Sequence, residues 1–143
     1  MSTTIRLTAA LGVGALLATG VAVNQAAAAT TTTASDSAVA SALSFSREEE
    51  RMARDLYAAL ADKYDGARPF SLITNSEDRH FDAVGVLIER YDVKDPSSGK
   101  AAGTYAIPAL QRLYDGWLAK GSTSLKNAYQ VGVELEQRDI ADL

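Results

Sequence analysis

The sequence predicts an all-α protein, and three observations support that class. From about residue 46 onward, apolar residues recur at the three- and four-residue spacing of amphipathic helices. No stretch of useful length alternates polar and apolar residues with period two, as a half-buried strand would. Gly, Pro, Asp and Ser cluster around residues 65–69, 95–103 and 121–124, and these breaks divide the chain into four predicted helices.

The N-terminal residues 1–29 have the features of a cleavable secretory signal. Arg6 precedes an apolar stretch from Leu7 to Val23, and the run Ala26–Ala29 supplies a small-residue cleavage site. An uncleaved membrane anchor is the alternative because the apolar stretch is long, but its glycines and the Ala-x-Ala pattern favour cleavage. We therefore expect a secreted protein with no membrane contact after cleavage. Residues 30–44, rich in Thr, Ser and Ala, are predicted to form a flexible linker.

Composition limits the remaining chain to one small exported domain. The 143-residue sequence leaves room for a single core after the linker, and we place this domain at residues 45–143. The chain has 18 acidic and 14 basic side chains and no basic run, so we do not expect a nucleic-acid partner. It contains no cysteine, which excludes disulfide bonds. Packing alone must hold the domain together.

Capping patterns and helix breakers give the expected limits of the four helices. Ser46 and Glu49 have the spacing of a capping box, which predicts that the first helix starts there. Pro108 is acceptable in the first turn of the third helix. The predicted helices span residues 46–64, 71–91, 107–118, and from 122 or 124 to 143.

The second predicted helix carries the most informative feature of the chain. Glu77 and His80 lie three residues apart on a stripe that is otherwise apolar, so the carboxylate is expected to point toward the core. Burying an ionised carboxylate without a partner costs more free energy than a small domain can spare. A metal ion would compensate the charge and would also explain the imidazole one helical turn away.

Two other helices also turn acids inward. Glu136 and Asp139 form a second i, i+3 polar pair on the apolar stripe of the last helix. In the first helix Glu50 borders the apolar face, while Glu49 is expected to serve the capping box, although Glu49 also projects near the apolar side. Oxygen-rich ligation with one imidazole suits iron or manganese better than a structural zinc ion. The candidate metal ligands are therefore Glu50, Glu77, His80, Glu136 and Asp139.

Each of these residues also has a structural explanation that needs no metal. Glu77 could close a capping box from Thr74 if the second helix starts late. A single His on an apolar face is often a hydrogen-bonded core residue. The acid pair of the last helix could form salt bridges with Arg54 or Arg138. The convergence of inward acids from three helices favours the metal-site interpretation over these separate explanations.

Several segments together resemble the bacterial DUF2202 family of the ferritin-like superfamily. They are Glu48–Tyr57, Ser76–His80 with Asp82–Val84, Gly121-Ser122 and Leu135–Leu143. The resemblance covers nearly all of residues 46–143 and implies a four-helix bundle with a dinuclear iron or manganese carboxylate site. It assigns ligand positions to Glu50, to Glu77 with His80, and to Glu136, with Asp139 where a His is usual.

The same resemblance implies that the bundle is incomplete. Members of the family continue into one more long helix that carries a further His, and this chain stops at Leu143. We expect either a truncated product or a homo-oligomer in which a second copy completes the bundle.

The sequence therefore supports two functional hypotheses. The first is a secreted metal-binding protein or oxidoreductase in which Glu77 and Glu136 bridge iron or manganese ions, with catalytic residues still unidentified. The alternative is a non-catalytic helical module that binds a partner at the cell exterior, with its acids satisfied by Arg54, by Tyr hydroxyls or by one another. Hydrolase chemistry is disfavoured because the sequence lacks Cys and a Gly-x-Ser-x-Gly elbow.

Overall fold

The computed structural model describes the secondary structure of residues 14–142 and the side chains of residues 36–141. This part of the chain contains helices and no strands, which confirms the all-α class. The helices are α1 (Gly14–Lys63), α2 (Phe70–Arg90), α3 (Pro108–Gly121) and α4 (Leu125–Asp142). All the side chains of the predicted signal, residues 1–29, lie outside the described residues, so its cleavage stays a prediction.

The first helix starts earlier than its predicted cap. Ser46 lies inside α1, so the prediction that a capping box starts a helix there is wrong. Residues 39–44, which we expected to be flexible, are also helical and belong to the compact unit Val39–Leu143. The Ala and Leu residues in this stretch have high helix propensity, which outweighs its serines. No helix within the described residues has an apolar stretch long enough to cross a membrane.

The main core forms where α2 and α4 pack on α1. Apolar stripes from the three helices meet there, and Tyr57 and Phe70 are its largest members, with ring centroids 6.3 Å apart. The fully or almost fully buried residues of this cluster are Ala53, Leu56, Tyr57, Leu60, Phe70, Ala128, Val131 and Leu135. The core therefore sets the positions of the three helices that carry the candidate ligands.

Helix α3 packs against α4 and closes one side of α1. Gly121 at its C-terminal end lies so close to α1 that an added Cβ would be 2.9 Å from Leu60 Cδ2. The Tyr64 hydroxyl donates a 2.7 Å hydrogen bond to the Gly121 carbonyl. A side chain at residue 121 would therefore displace the Leu60 side chain in the core.

A buried ionic network on α1 holds the connection between α2 and α3. Arg51 Nη2 lies 3.1 Å from Glu48 Oε1, and both side chains are almost fully buried. Asp55 lies one turn further along the helix. Glu48 accepts a hydrogen bond from the backbone N–H of Ala106. Arg51 donates to the carbonyls of Ala101 and Thr104, and Asp55 accepts from the Gly103 N–H and the Tyr105 hydroxyl. These three α1 side chains thus make the hydrogen bonds that water would otherwise make to the backbone of residues 101–106, which form neither helix nor strand.

Candidate metal centre

One acid from α1 and two side chains from α2 form a compact cluster. Glu50, Glu77 and His80 each offer a ligand atom, and the three atoms lie within 4.8 Å of one another. His80 Nδ1 is 3.3 Å from Glu77 Oε2 and 3.4 Å from Glu50 Oε2. Glu77 and His80 share a face because they are three residues apart in α2, and the packing of α2 on α1 brings that face to Glu50.

The members of the cluster differ in burial. The Glu77 side chain is buried, as its place on the apolar stripe predicts, whereas the His80 side chain is 55% exposed. The imidazole therefore lies at the mouth of the site and not in the core. This exposure makes the alternative of a buried structural His incompatible with the structure.

The other two predicted ligands lie in the same cleft but outside the compact cluster. Glu136 and Asp139 from α4 line a cleft of about 460 Å³ together with Glu50, Glu77 and His80. The Glu136 carboxylate is held by the Tyr57 hydroxyl, which donates a 2.6 Å hydrogen bond to Oε1. The structure thus brings acids from three helices into one cleft, with the α2 pair closest to Glu50.

The cleft strongly favours the protonated form of Glu77. Burial is the main cause, followed by a hydrogen bond with Glu50 and by repulsion from Glu50, Glu136 and Asp139. Together they raise the Glu77 pKa from an ordinary value of 4.5 to about 8. A buried acid surrounded by other acids is a position where a cation would relieve both desolvation and repulsion.

Comparison with known proteins identifies the family. The family model described as "Uncharacterized protein domain (DUF2202)" matches residues 40–143. This chain belongs to the DUF2202 family. An uncharacterized protein of the archaeon Methanocaldococcus jannaschii is 40% identical over 97 residues, which cover 68% of this chain and 52% of that protein. The chain thus spans about half the length of this curated relative, and no solved structure matches it.

Two neighbouring acids of α1 in this DUF2202 domain, Glu49 and Glu50, have different partners. Glu50 belongs to the compact cluster, whereas Glu49 Oε1 lies 3.5 Å from Arg138 Nε of α4. Both acids line the cleft, but only Glu50 approaches Glu77 and His80 at ligand distances. The sequence does not predict the partner of Glu49, because its spacing from Ser46 assigns this acid to a capping box and the pattern of α4 offers Arg138 to Glu136 and Asp139.

Tyr57 connects the core of the DUF2202 domain to its cleft. The side chain is fully buried, and its hydroxyl contacts the Glu136 carboxylate and the Gly132 carbonyl. Burial and the adjacent Glu136 raise the Tyr57 pKa above its ordinary value, so the hydroxyl stays protonated and acts as a donor.

Replacing Tyr57 with Phe is expected to destabilise the domain by about 1.5–3 kcal/mol, the usual range for a hydrogen bond to a charged group. The ring and its packing are retained, so the loss of unfolding free energy measures the contribution of the hydroxyl alone. Chemical denaturation measures the change, and Tyr91→Phe, which alters an exposed tyrosine at the C-terminal cap of α2, is the matched control. Equal stability of the two variants would contradict a structural role for the Tyr57–Glu136 bond.

Proposed function

We propose that this DUF2202 protein is a ferritin-like metal-binding protein that holds iron or manganese between α1, α2 and α4. Glu50, Glu77 and His80 would form the first cation position, and Glu136 and Asp139 would supply ligands beside it. The observation that carries the proposal is the convergence of an exposed imidazole and a partly exposed carboxylate on a buried carboxylate, all within 4.8 Å. Export to the cell exterior is part of the proposal, because residues 1–29 resemble a signal peptide.

The spacing of the donor atoms fits a small divalent cation. Two ligands bound at about 2.1 Å and at right angles are about 3 Å apart. The separations of 3.3 and 3.4 Å around His80 Nδ1 are close to that value. Carboxylates with one imidazole form the mixed oxygen and nitrogen donor set that iron and manganese accept.

Electrostatics supports the same assignment. Glu50, Glu136 and Asp139 all disfavour the charged form of Glu77, so the cleft has an excess of negative charge near a buried atom. A divalent cation would reverse the sign of this interaction and stabilise the ionised carboxylates. Arg138 compensates part of the charge through Glu49, on the α4 side of the cleft.

The chain's own residues define what such a site could do. When bound, iron or manganese would supply redox or Lewis-acid chemistry. Tyr57 would fix one oxygen of Glu136 and leave the other free. The exposed His80 lies where a small molecule from solvent would enter. An oxidoreductase role is therefore part of the proposal, with the substrate left open.

Metal analysis of the purified protein tests the proposal. We expect the wild-type protein, loaded with Fe²⁺ or Mn²⁺ and then desalted, to retain stoichiometric metal, and the double variant Glu77→Ala with His80→Ala to retain none. Glu89→Ala, which removes an exposed acid from the same helix, should bind like the wild type. Equal metal content in all three proteins, or none in any, would reject the proposal.

Chelation provides an independent measurement. At a free metal concentration one hundred times the dissociation constant, binding adds about 2.7 kcal/mol to the unfolding free energy. A chelator should remove this contribution and lower the midpoint of thermal unfolding in the wild type only. The double variant should have the same midpoint of thermal unfolding with and without the chelator.

A non-catalytic helical module is the second candidate, and two contacts favour it. Tyr57 satisfies Glu136, and Arg138 pairs with Glu49, so two of the inward acids have partners without a metal. This candidate predicts that neither added metal nor a chelator changes the thermal unfolding of the wild-type protein.

A further inference from the structure

A second cavity, almost entirely apolar, lies between α2 and α4. It is a groove of about 340 Å³ that shares Glu136 and Ile140 with the acidic cleft. Tyr57 and Phe70 line it from the core. Ile73 on α2 and Tyr129 and Val133 on α4 are among its other lining residues.

Helix α4 presents an uncovered apolar stripe along this groove. Leu125, Tyr129, Val133 and Ile140 fall within about 80° of arc on a helix of 3.6 residues per turn. They are 39%, 40%, 57% and 71% exposed, respectively. Four large exposed apolar side chains on one face of a single helix, with Glu136 between Val133 and Ile140, are more than the scattered exposed residues of an ordinary surface, and they mark a contact site. The shape of the site, a row beside a groove, is suited to an α-helix.

The direction of the two groove helices determines how a further helix would run. Phe70 at the start of α2 stacks on Tyr129 near the start of α4, with ring centroids 5.1 Å apart. Val84 and Ile140, both further along their helices, line the same cleft. Helices α2 and α4 therefore run in the same direction, and a helix antiparallel to both would have favourable dipole interactions with each.

The charges of α4 match those of another α4 in this antiparallel orientation. Its first half carries Lys126 and no acid, whereas its second half carries Glu134, Glu136, Asp139 and Asp142 against a single Arg138. Glu134 is already paired with Lys120 of α3, which leaves the other three acids against Arg138. An antiparallel pair would place the basic end of each helix beside the acidic end of the other. The same apolar stripe would then face itself across a twofold axis, as an isologous interface requires.

From these observations we propose that the occupant of the groove is α4 of a second copy of this chain. The two copies pair through their α4 stripes in antiparallel orientation, and Val133, near the middle of the stripe, lies close to the twofold axis. The pairing covers the groove and the adjacent side of the acidic cleft. It rests on the apolar stripe and the charge distribution and does not require a bound metal.

Cross-linking of the full chain through single cysteines tests this arrangement. Because the chain has no cysteine, Val133→Cys introduces a unique thiol at the expected axis. Val86→Cys is the matched control, because Val86 is 65% exposed on α2 and does not line the groove. Under mild oxidation we expect most of the Val133→Cys protein to become a covalent dimer and Val86→Cys to stay at background. Equal cross-linking of the two variants, or none in either, overturns the proposal.

Sedimentation equilibrium provides a second, non-covalent test. The wild-type chain and Val86→Glu should sediment as dimers, and Val133→Glu as a monomer with wild-type helix content by circular dichroism. A monomeric wild type, or the same mass for both Glu variants, overturns the proposal. The comparison of the two variants also separates pairing through α4 from association through the apolar N-terminal segment, which both variants retain.

Discussion

Replacing Glu77 with Gln is expected to stabilise the metal-free protein above pH 5 and to weaken cation binding by more than about a hundredfold. Gln keeps the size and most of the hydrogen-bonding capacity of the side chain but removes the buried charge. The stability gain follows from the cost of ionising Glu77 beside Glu50, Glu136 and Asp139. The loss of binding follows from removal of the central ligand of the cluster.

The sign of the pH dependence follows from the direction of the pKa shift. The folded-state pKa of Glu77, about 8, lies above the ordinary value of 4.5, so the folded protein holds this proton more tightly than the unfolded chain. The stability linked to Glu77 is therefore fully present below pH 4.5 and is lost as the pH rises toward 8. A shift of this size corresponds to a few kcal/mol.

Urea unfolding of the metal-free proteins between pH 4.5 and 8.5 measures this effect. The wild type should lose stability across the range relative to Glu77→Gln, and the two curves should converge at the acidic end. Glu89→Gln, an exposed substitution on the same helix, should follow the wild type. Parallel curves for the wild type and Glu77→Gln would show that the cleft does not disfavour the carboxylate.

The second large effect is expected at Arg51. Changing Arg51 to Ala should reduce the unfolding free energy by about 3–5 kcal/mol, because it leaves the buried Glu48 carboxylate without its cation. It also removes the donor to the carbonyls of Ala101 and Thr104, which loosens the connection between α2 and α3.

Chemical denaturation with two comparison variants isolates this effect. Arg79→Ala, at an exposed position of α2, should change stability by less than about 0.5 kcal/mol. The double variant Arg51→Met with Glu48→Gln should be less destabilised than Arg51→Ala, because it removes the charge and its counter-charge together. A loss below about 1 kcal/mol in Arg51→Ala would mean that water, and not Arg51, satisfies Glu48.

Local patterns in the sequence were sufficient to predict the helices and the central acid of the site. The apolar stripe of α2 predicts correctly that Glu77 is buried, because the neighbours of this residue pack on α1. The same stripe places His80 inward, yet this side chain is more than half exposed. Periodicity identifies a face of a helix, but only the arrangement of the other helices decides how much of that face is covered. The edge of α2 beside the acidic cleft is uncovered, and His80 lies on that edge.

The first helix shows a different limit of sequence reasoning. Ser46 and Glu49 have the spacing of a capping box, but helix propensity on both sides carries α1 through them. The buried network of Glu48, Arg51 and Asp55 was not predicted, although the residues lie three and four apart, as ion pairs on a helix do. Such spacing is common on exposed faces, so it does not reveal that these charges are buried against residues 101–106. Those contacts join positions about fifty residues apart, which no local pattern encodes.

Tyr57 gives the molecule a property that neither cavity has alone. Its ring forms part of the apolar groove, and its hydroxyl is bonded to a carboxylate of the acidic cleft. A displacement of the ring by any occupant of the groove would lengthen or break that bond and release the Glu136 side chain. Thermodynamic reciprocity then requires that any ligand that holds Glu136 in the cleft alter how tightly the groove is filled. The Tyr57 side chain in this way couples the apolar groove to the acidic cleft.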